Sequence, residues 1–251
     1  SSQLGGCNVD RDLGRVVAAH GRHFVIESPE GVRTICRPRG KKSECVVGDM
    51  VRWQATGDEG VIEHIEPRRN LLHRQDEWKT KSFAANLDQV LILVAGEPMF
   101  SESQLARALI AAERAGIDAL VLLNKCDLPA AAAARERLVP YRAMGVAVHE
   151  SALKPRGASV TPQAAHALLT PLLAGRTTLV LGPSGMGKST LLNLMVPGAA
   201  AQPGEISVAL NAGRHTTTTT TWYWLDGARE TALIDSPGFQ EFGLRHVEAL
   251  Q

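Results

Sequence analysis

Two kinds of hydrophobic pattern divide this chain. Between residues 9 and 67 the apolar positions form short β-like runs: Arg15-Val16-Val17-Ala18-Ala19, Phe24-Val25-Ile26, Val32-Arg33-Thr34-Ile35, Asp49-Met50-Val51-Arg52-Trp53 and Gly60-Val61-Ile62-Glu63-His64-Ile65. Glycines at 14, 21, 31, 40, 48, 57 and 60 punctuate them. Five short strands at this spacing predict a small all-β barrel of the oligonucleotide-binding (OB) type. From Asp88 the runs become continuous: Gln89-Val90-Leu91-Ile92-Leu93-Val94, Ala119-Leu120-Val121-Leu122-Leu123, Val146-Ala147-Val148-His149, Thr177-Thr178-Leu179-Val180-Leu181 and Thr231-Ala232-Leu233-Ile234. Such runs suit strands buried on both faces of an α/β sheet. Residues 101–115 read as a helix capped by Ser101, with Leu105, Leu109 and Ala112 as its apolar stripe. The expected domains are a barrel over 1–67, a weakly apolar linker over 68–85 carrying Arg68, Arg69, Arg74, Lys79 and Lys81, and an α/β domain over 86–251.

Every polar motif sits at the end of one of these runs, which is where open α/β sheets bind ligands. Gly182-Pro183-Ser184-Gly185-Met186-Gly187-Lys188-Ser189 reads GxxxxGKS and is followed by Thr190 and a helical pattern. Its glycines let backbone N–H groups face phosphates; Lys188 would reach the β/γ oxygens and Ser189 would ligate Mg²⁺. The helix start favours the anion. Asn124-Lys125-Cys126-Asp127 reads NKxD. The Asp127 carboxylate can accept from guanine N1–H and the 2-amino group, donors that adenine does not present. Lys125 would lie along the base, and Asn124 would tie this loop to the phosphate loop. The alternative is a turn with Asp127 as a helix cap. Ser151-Ala152-Leu153-Lys154 occupies the place of a loop whose backbone meets guanine O6.

Asp235-Ser236-Pro237-Gly238 reads DxxG, with Asp235 near Mg²⁺ and the Gly238 N–H at the γ-phosphate. Phe239 follows, where many GTPases carry a water-orienting glutamine. Gly213-Arg214-His215 and six threonines, 216–221, lie between the phosphate loop and DxxG, in the place of switch I. One threonine should complete the metal shell. The run leaves the register open, with Thr217 the assigned ligand and the later threonines alternatively a strand. His215 is the candidate for orienting or deprotonating water, with a surface histidine as the alternative. Arg214 and Arg229 could stabilise transition-state charge.

Composition adds constraints. The 27 Lys and Arg against 26 Asp and Glu give a net charge of +1, so any nucleic-acid contact must rest on local charge. Arg33, Arg37, Arg39, Lys41 and Lys42 form such a cluster, an RNA-binding candidate unless it is a solvated loop. Phe24 and Trp53 are the candidate stacking aromatics, or else barrel core. Cys7, Cys36, Cys45 and Cys126 fit no zinc spacing and read as reduced thiols of a cytoplasmic protein. No apolar run is long enough for a membrane helix, and 1–6 reads as a processed end rather than a signal peptide.

NKxD precedes GxxxxGKS here, the reverse of the usual order, which implies a circularly permuted GTPase domain. That order behind a barrel, the string Gly213-Arg214-His215-Thr216-Thr217-Thr218 and the stretch Asp235-Ser236-Pro237-Gly238-Phe239-Gln240-Glu241-Phe242-Gly243-Leu244 resemble the ribosome small subunit-dependent GTPase family (RsgA, also called YjeQ) over about residues 9–246. The resemblance implies a factor that binds the small subunit and its rRNA late in assembly, hydrolyses GTP there and leaves, with GTP/GDP and Mg²⁺ as ligands; a monomer is expected. It also implies guanine contacts for Asn124, Lys125 and Asp127, phosphate and Mg²⁺ contacts for 182–189, and water activation by His215. The family's C-terminal zinc domain has no counterpart before Gln251, so it either lies beyond this chain or is missing, and zinc is expected only if such a domain exists. Two other readings stay open: a nucleotide-gated RNA-binding module with negligible hydrolysis, favoured by Phe239, and an ATPase, which leaves NKxD unexplained.

Overall fold

A computed structural model of the chain describes residues 12–40, 44–75, 80–155, 161–183, 185–198 and 219–236. The first five strands are β1 (Leu13–His20), β2 (His23–Glu27), β3 (Arg33–Pro38), β4 (Met50–Thr56) and β5 (Glu59–Ile65). They pair in the order β1-β2-β3-β5-β4, and β4 closes back onto β1. Only β3 and β5 among these pairs run parallel. This is the five-stranded Greek-key barrel expected from the sequence.

Two of the punctuating glycines do something other than turn. Gly14 lies inside β1 and Gly60 inside β5. A Cβ on Gly14 would overlap Ile26 and approach the Trp53 indole, and one on Gly60 would lie 2.7 Å from both Cys36 Sγ and Trp53 Cε3. The Trp53 ring therefore fills space that two missing side chains vacate. Phe24 is buried and Trp53 packs against the core, so neither offers the stacking surface considered from sequence.

The stretch expected to be a linker contains two strands. β6 (Leu71–Gln75) and β7 (Thr80–Ala85) form an antiparallel hairpin. Its basic residues masked an apolar set: Leu72, Ala84 and Ala85 are buried. Side-chain clasps fix it to both neighbours. The Arg68 guanidinium donates to both carboxylate oxygens of fully buried Asp49, at 2.7 and 2.8 Å. Asn70 accepts from the Leu87 N–H and donates to the Leu87 carbonyl, each at 2.8 Å.

The second domain contains β8 (Gln89–Val94), α1 (Glu102–Arg114), β9 (Asp118–Leu123), α2 (Ala131–Ala143), β10 (Ala147–Glu150), α3 (Pro162–Leu173), β11 (Thr177–Leu181), α4 (Lys188–Met195), β12 (Thr220–Trp224) and β13 (Ala232–Asp235). Strands order as β10-β9-β8-β11-β13-β12, all parallel except β12. Every residue of β8 is buried, as its unbroken apolar run requires. Ser101 caps α1 by accepting from the Gln104 N–H. The sheet does not end at β12, because β1 of the barrel pairs with it and makes one 11-stranded sheet.

Candidate functional site

Parallel strands put all their carboxyl ends on one edge. The turn after β8, NKCD after β9, Ser151 after β10, the phosphate-loop residues after β11 and Ser236 after β13 all emerge there. The motif order along the chain is permuted, but their positions along this edge are adjacent.

Asn124 connects them. Its side chain is 3% exposed. Asn124 Nδ2 donates to the Met186 carbonyl at 2.9 Å, and Asn124 Oδ1 accepts from the Leu153 N–H at 3.0 Å. One amide thus joins the base-side loop, the phosphate loop and the loop after β10. Backbone bonds reinforce it: the Cys126 N–H donates to Ser151 O at 3.2 Å. Gly187 has φ +103°, and a Cβ there would overlap Asn124 Nδ2, so glycine is needed for both conformation and space.

Lys125 also sits in the left-handed region, at φ 59°. Its Nζ donates to Glu97 O at 2.7 Å and Gly185 O at 2.9 Å. The lysine stem therefore crosses from NKCD to the phosphate loop and braces the turn after β8. That turn gave no motif in the sequence. Gly96, two residues past the buried strand, was its only signal, and a Cβ there would overlap Ala130 O.

Lys188 opens α4 and points towards β13. Its Nζ donates to Ser236 O at 2.6 Å and lies 3.1 Å from Asp235 Oδ1. That ion pair is close but poorly aligned, since buried Asp235 Oδ1 accepts no hydrogen bond. Ser189 is exposed at the helix start. The hydroxyl of Ser189 and the carboxylate of Asp235 are hard oxygen donors, the type Mg²⁺ selects. No cluster of three or more His, Cys, Asp or Glu suited to a metal occurs among the described residues. Beside the base-side loop, a hydrogen bond from Arg135 holds the Glu150 carboxyl below its usual range, and burial raises the Cys126 thiol.

His215, Thr217, Ser184, Gly238, Lys41 and Lys42 lie outside the described residues, as do Arg214 and Phe239. Thr220 and Thr221 open β12, so the strand reading holds for the end of the threonine run. Arg229 is not near the phosphate edge. It precedes β13, whose four residues carry the chain roughly 13 Å to Asp235. There Arg229 donates to Pro29 O at 2.9 Å. The basic cluster also changes meaning. Arg33 Nε donates to buried Glu27 at 2.9 Å, so its charge is partly balanced within the barrel. Exposed Arg37 and Arg39 face Glu59 and Glu63 at 3.7 and 2.7 Å.

Comparison with known proteins bears on the family and the fold. The family model described as RsgA GTPase matches residues 65–245. The small ribosomal subunit biogenesis GTPase RsgA of Variovorax paradoxus (strain S110) is 62% identical over 239 residues, covering 95% of this chain and 74% of that protein. The protein of the same name from Burkholderia pseudomallei (strain K96243) is 57% identical over 242 residues, again covering 95% and 74%. The crystal structure of YjeQ from Thermotoga maritima superposes with a TM-score of 0.61 at 26% identity, covering 93% of this chain and 77% of that one. YloQ, a circularly permuted GTPase, matches in fold with a TM-score of 0.59 at 24% identity, covering 92% and 73%.

Asn124→Ala should leave the buried Met186 carbonyl and Leu153 N–H unpaired, at a cost of about 1–3 kcal/mol for each group. The urea midpoint should fall with an unchanged m-value. A midpoint equal to that of the parent would remove Asn124 from its place as the tie between the loops.

Proposed function

The chain belongs to the RsgA GTPase family, and on that premise we propose that it binds guanine nucleotide at the carboxyl edge of the sheet and hydrolyses GTP in biogenesis of the small ribosomal subunit. The observation that carries the site is the Asn124 side chain, which holds a base-reading loop and a phosphate loop in one unit.

In this reading Asn124, Lys125, Asp127, Ser151 and Ala152 serve the base. Gly182, Pro183, Ser184, Gly185, Met186, Gly187, Lys188, Ser189 and Thr190 serve the phosphates. Asp235 and Gly238 serve the γ-phosphate side. Bound Mg²⁺ would neutralise phosphate charge, with Ser189, Thr217 and Asp235 as its protein oxygens, directly or through water. Reaching for phosphate brings Lys188 into competition with Ser236 O and Asp235, so nucleotide binding alters the residues where β13 ends. Phe239 has no polar atom to orient water, which leaves that role to His215. The proposed compartment is the cytoplasm, where small subunits assemble; no helix among the described residues is long and apolar enough to cross a membrane.

Replacing Asp127 with Asn should weaken GTP and favour xanthosine triphosphate, because the amide donates to the 2-oxygen where the carboxylate accepted from the 2-amino group. An unchanged base preference in competition binding would take NKCD out of the base site.

For the rRNA contact the candidates are Arg33, Arg37, Arg39, Lys41 and Lys42, and the test takes Arg37, Arg39, Lys41 and Lys42. Neutralising all four should lower affinity for small subunits and flatten its salt dependence, since fewer counterions are released. Identical salt slopes would return these residues to a solvated surface.

The central test is single-turnover GTP hydrolysis with and without purified small subunits. Alone, the protein should be slow, at or below the ~10⁻⁴–10⁻² s⁻¹ of unassisted GTPases. Subunits should accelerate it. His215→Ala should lose most of the acceleration and keep GTP binding, because the group acts on the transition state. Full stimulated turnover in that variant would place the water-activating group on the partner.

A further inference from the structure

β12 begins with the last two residues of the threonine run, and the barrel contacts it at both ends. Ala18 pairs with Thr221 and Ala19 with Thr220 in an antiparallel ladder. At the end near the phosphate edge, His20 Nδ1 lies 3.1 Å from Thr219 Oγ1. At the far end the contacts converge on Glu27, a barrel carboxylate only 5% exposed. Glu27 Oε1 accepts from Trp224 Nε1 at 2.9 Å, and Glu27 Oε2 accepts from Arg33 Nε at 2.9 Å. Arg229 Nη1 lies 3.5 Å from Glu27 Oε1. The Arg15 guanidinium sits over both indoles of β12, 4.9 Å from the Trp222 centroid and 5.0 Å from that of Trp224. Burial lowers the Arg15 pKa while Glu27 opposes that shift.

These contacts are directional. A buried carboxylate shared by donors from β3, β12 and the turn before β13 holds only while those elements keep their relative positions. Nor is the seam packed for greatest stability, since Trp222 Nε1 is buried without an acceptor among the described residues. On its other side β12 touches the nucleotide edge: Thr221 pairs with Asp235, and Thr220 Oγ1 lies 3.3 Å from Ser236 Oγ. The strand therefore has the barrel on one flank and the proposed Mg²⁺ carboxylate on the other.

We propose that Glu27 is a positioning residue for GTP hydrolysis: by holding Trp224 and Arg229 to the barrel it fixes β12, so that a small subunit gripping the barrel sets the backbone of Thr219, Thr220 and Thr221 beside Asp235. The proposal rests on the GTPase reading above. Glu27 touches no residue assigned to nucleotide or metal, and its effect is transmitted through β12.

The test uses the full chain with GTP and purified small subunits, comparing the parent with Glu27→Ala and Glu27→Gln. In Glu27→Ala, subunit binding, GTP KM and subunit-free turnover should stay within about twofold, while subunit-stimulated kcat falls about tenfold or more. Amide exchange at Thr219, Thr220 and Thr221 should accelerate. Glu27→Gln should recover part of the stimulation, because its amide oxygen still accepts from the Trp224 indole. If Glu27→Ala does not fold, Trp224→Phe removes the same hydrogen bond, keeps an aromatic ring and should give the same split. Undiminished stimulation in a folded Glu27→Ala or Trp224→Phe overturns the proposal. So does a parallel loss of subunit-free and stimulated turnover, which marks a merely structural residue. A parent protein that hydrolyses no GTP overturns the functional reading instead; the exchange rates, which need no turnover, then still decide whether Glu27 holds β12.

Discussion

The site depends on one buried amide. Asn124 and Met186 are 62 residues apart in the chain, yet a single hydrogen bond makes their loops one surface. Each loop alone is weakly determined. The phosphate loop has φ of +88° at Gly185 and +103° at Gly187, conformations that favour glycine, and only Met186 between them reaches the core. Asn124 supplies what those glycines cannot, a side chain that satisfies buried backbone groups on both neighbours. Lys125, held by Glu97 O and Gly185 O, adds a second crossing from the same tetrapeptide. NKCD therefore has two separable tasks. Asn124 and Lys125 build the edge, while Asp127 is the member whose chemistry suits reading a base.

Much of this was legible in the sequence because it is local. Continuous apolar runs marked every parallel strand, and the motifs at the ends of four of them fall on one edge of the sheet, whatever the chain order. The barrel strands followed from alternation. What could not be read depends on neighbours across strands. Gly14 and Gly60 look like turn residues until the Trp53 ring is seen filling the space above them. Leu72, Ala84 and Ala85 are too sparse among basic residues to announce a hairpin, yet each finds a buried position. Arg33 belongs by composition to a basic cluster, but Glu27, six residues away on the paired strand, takes its guanidinium inward. Arg229 likewise looked catalytic by chain position, and the direction of β13 puts it at the wrong end of the sheet.

Permutation preserves the sheet while changing what borders it. β12 runs antiparallel beside β13, on the side of the sheet opposite β10. Unpaired, it would expose a row of backbone donors and acceptors, a liability that folded proteins cover. Here β1 covers it. The ladder has two residue pairs, Ala18 with Thr221 and Ala19 with Thr220. At roughly 0.5–1.5 kcal/mol net for each backbone hydrogen bond, so short a ladder is a weak joint by itself.

Weakness at that joint has a mechanical consequence. A partner that binds barrel and GTPase sheet together needs only a modest preference for one arrangement to shift β12, since a ligand moves an equilibrium by its differential affinity and no more. A long, apolar seam would resist such a shift, and a seam without specific contacts would not transmit it. The polar and cation–π contacts of Arg15, Glu27, Trp222 and Trp224 lie between these limits, because they depend steeply on geometry. The edge of β12 is covered by the short β1 ladder, while Arg15 and Glu27 add the geometry-dependent contacts beside it. A substitution that strengthened the seam by apolar packing would be expected to stabilise the fold while weakening the barrel's hold over Thr219, Thr220 and Thr221.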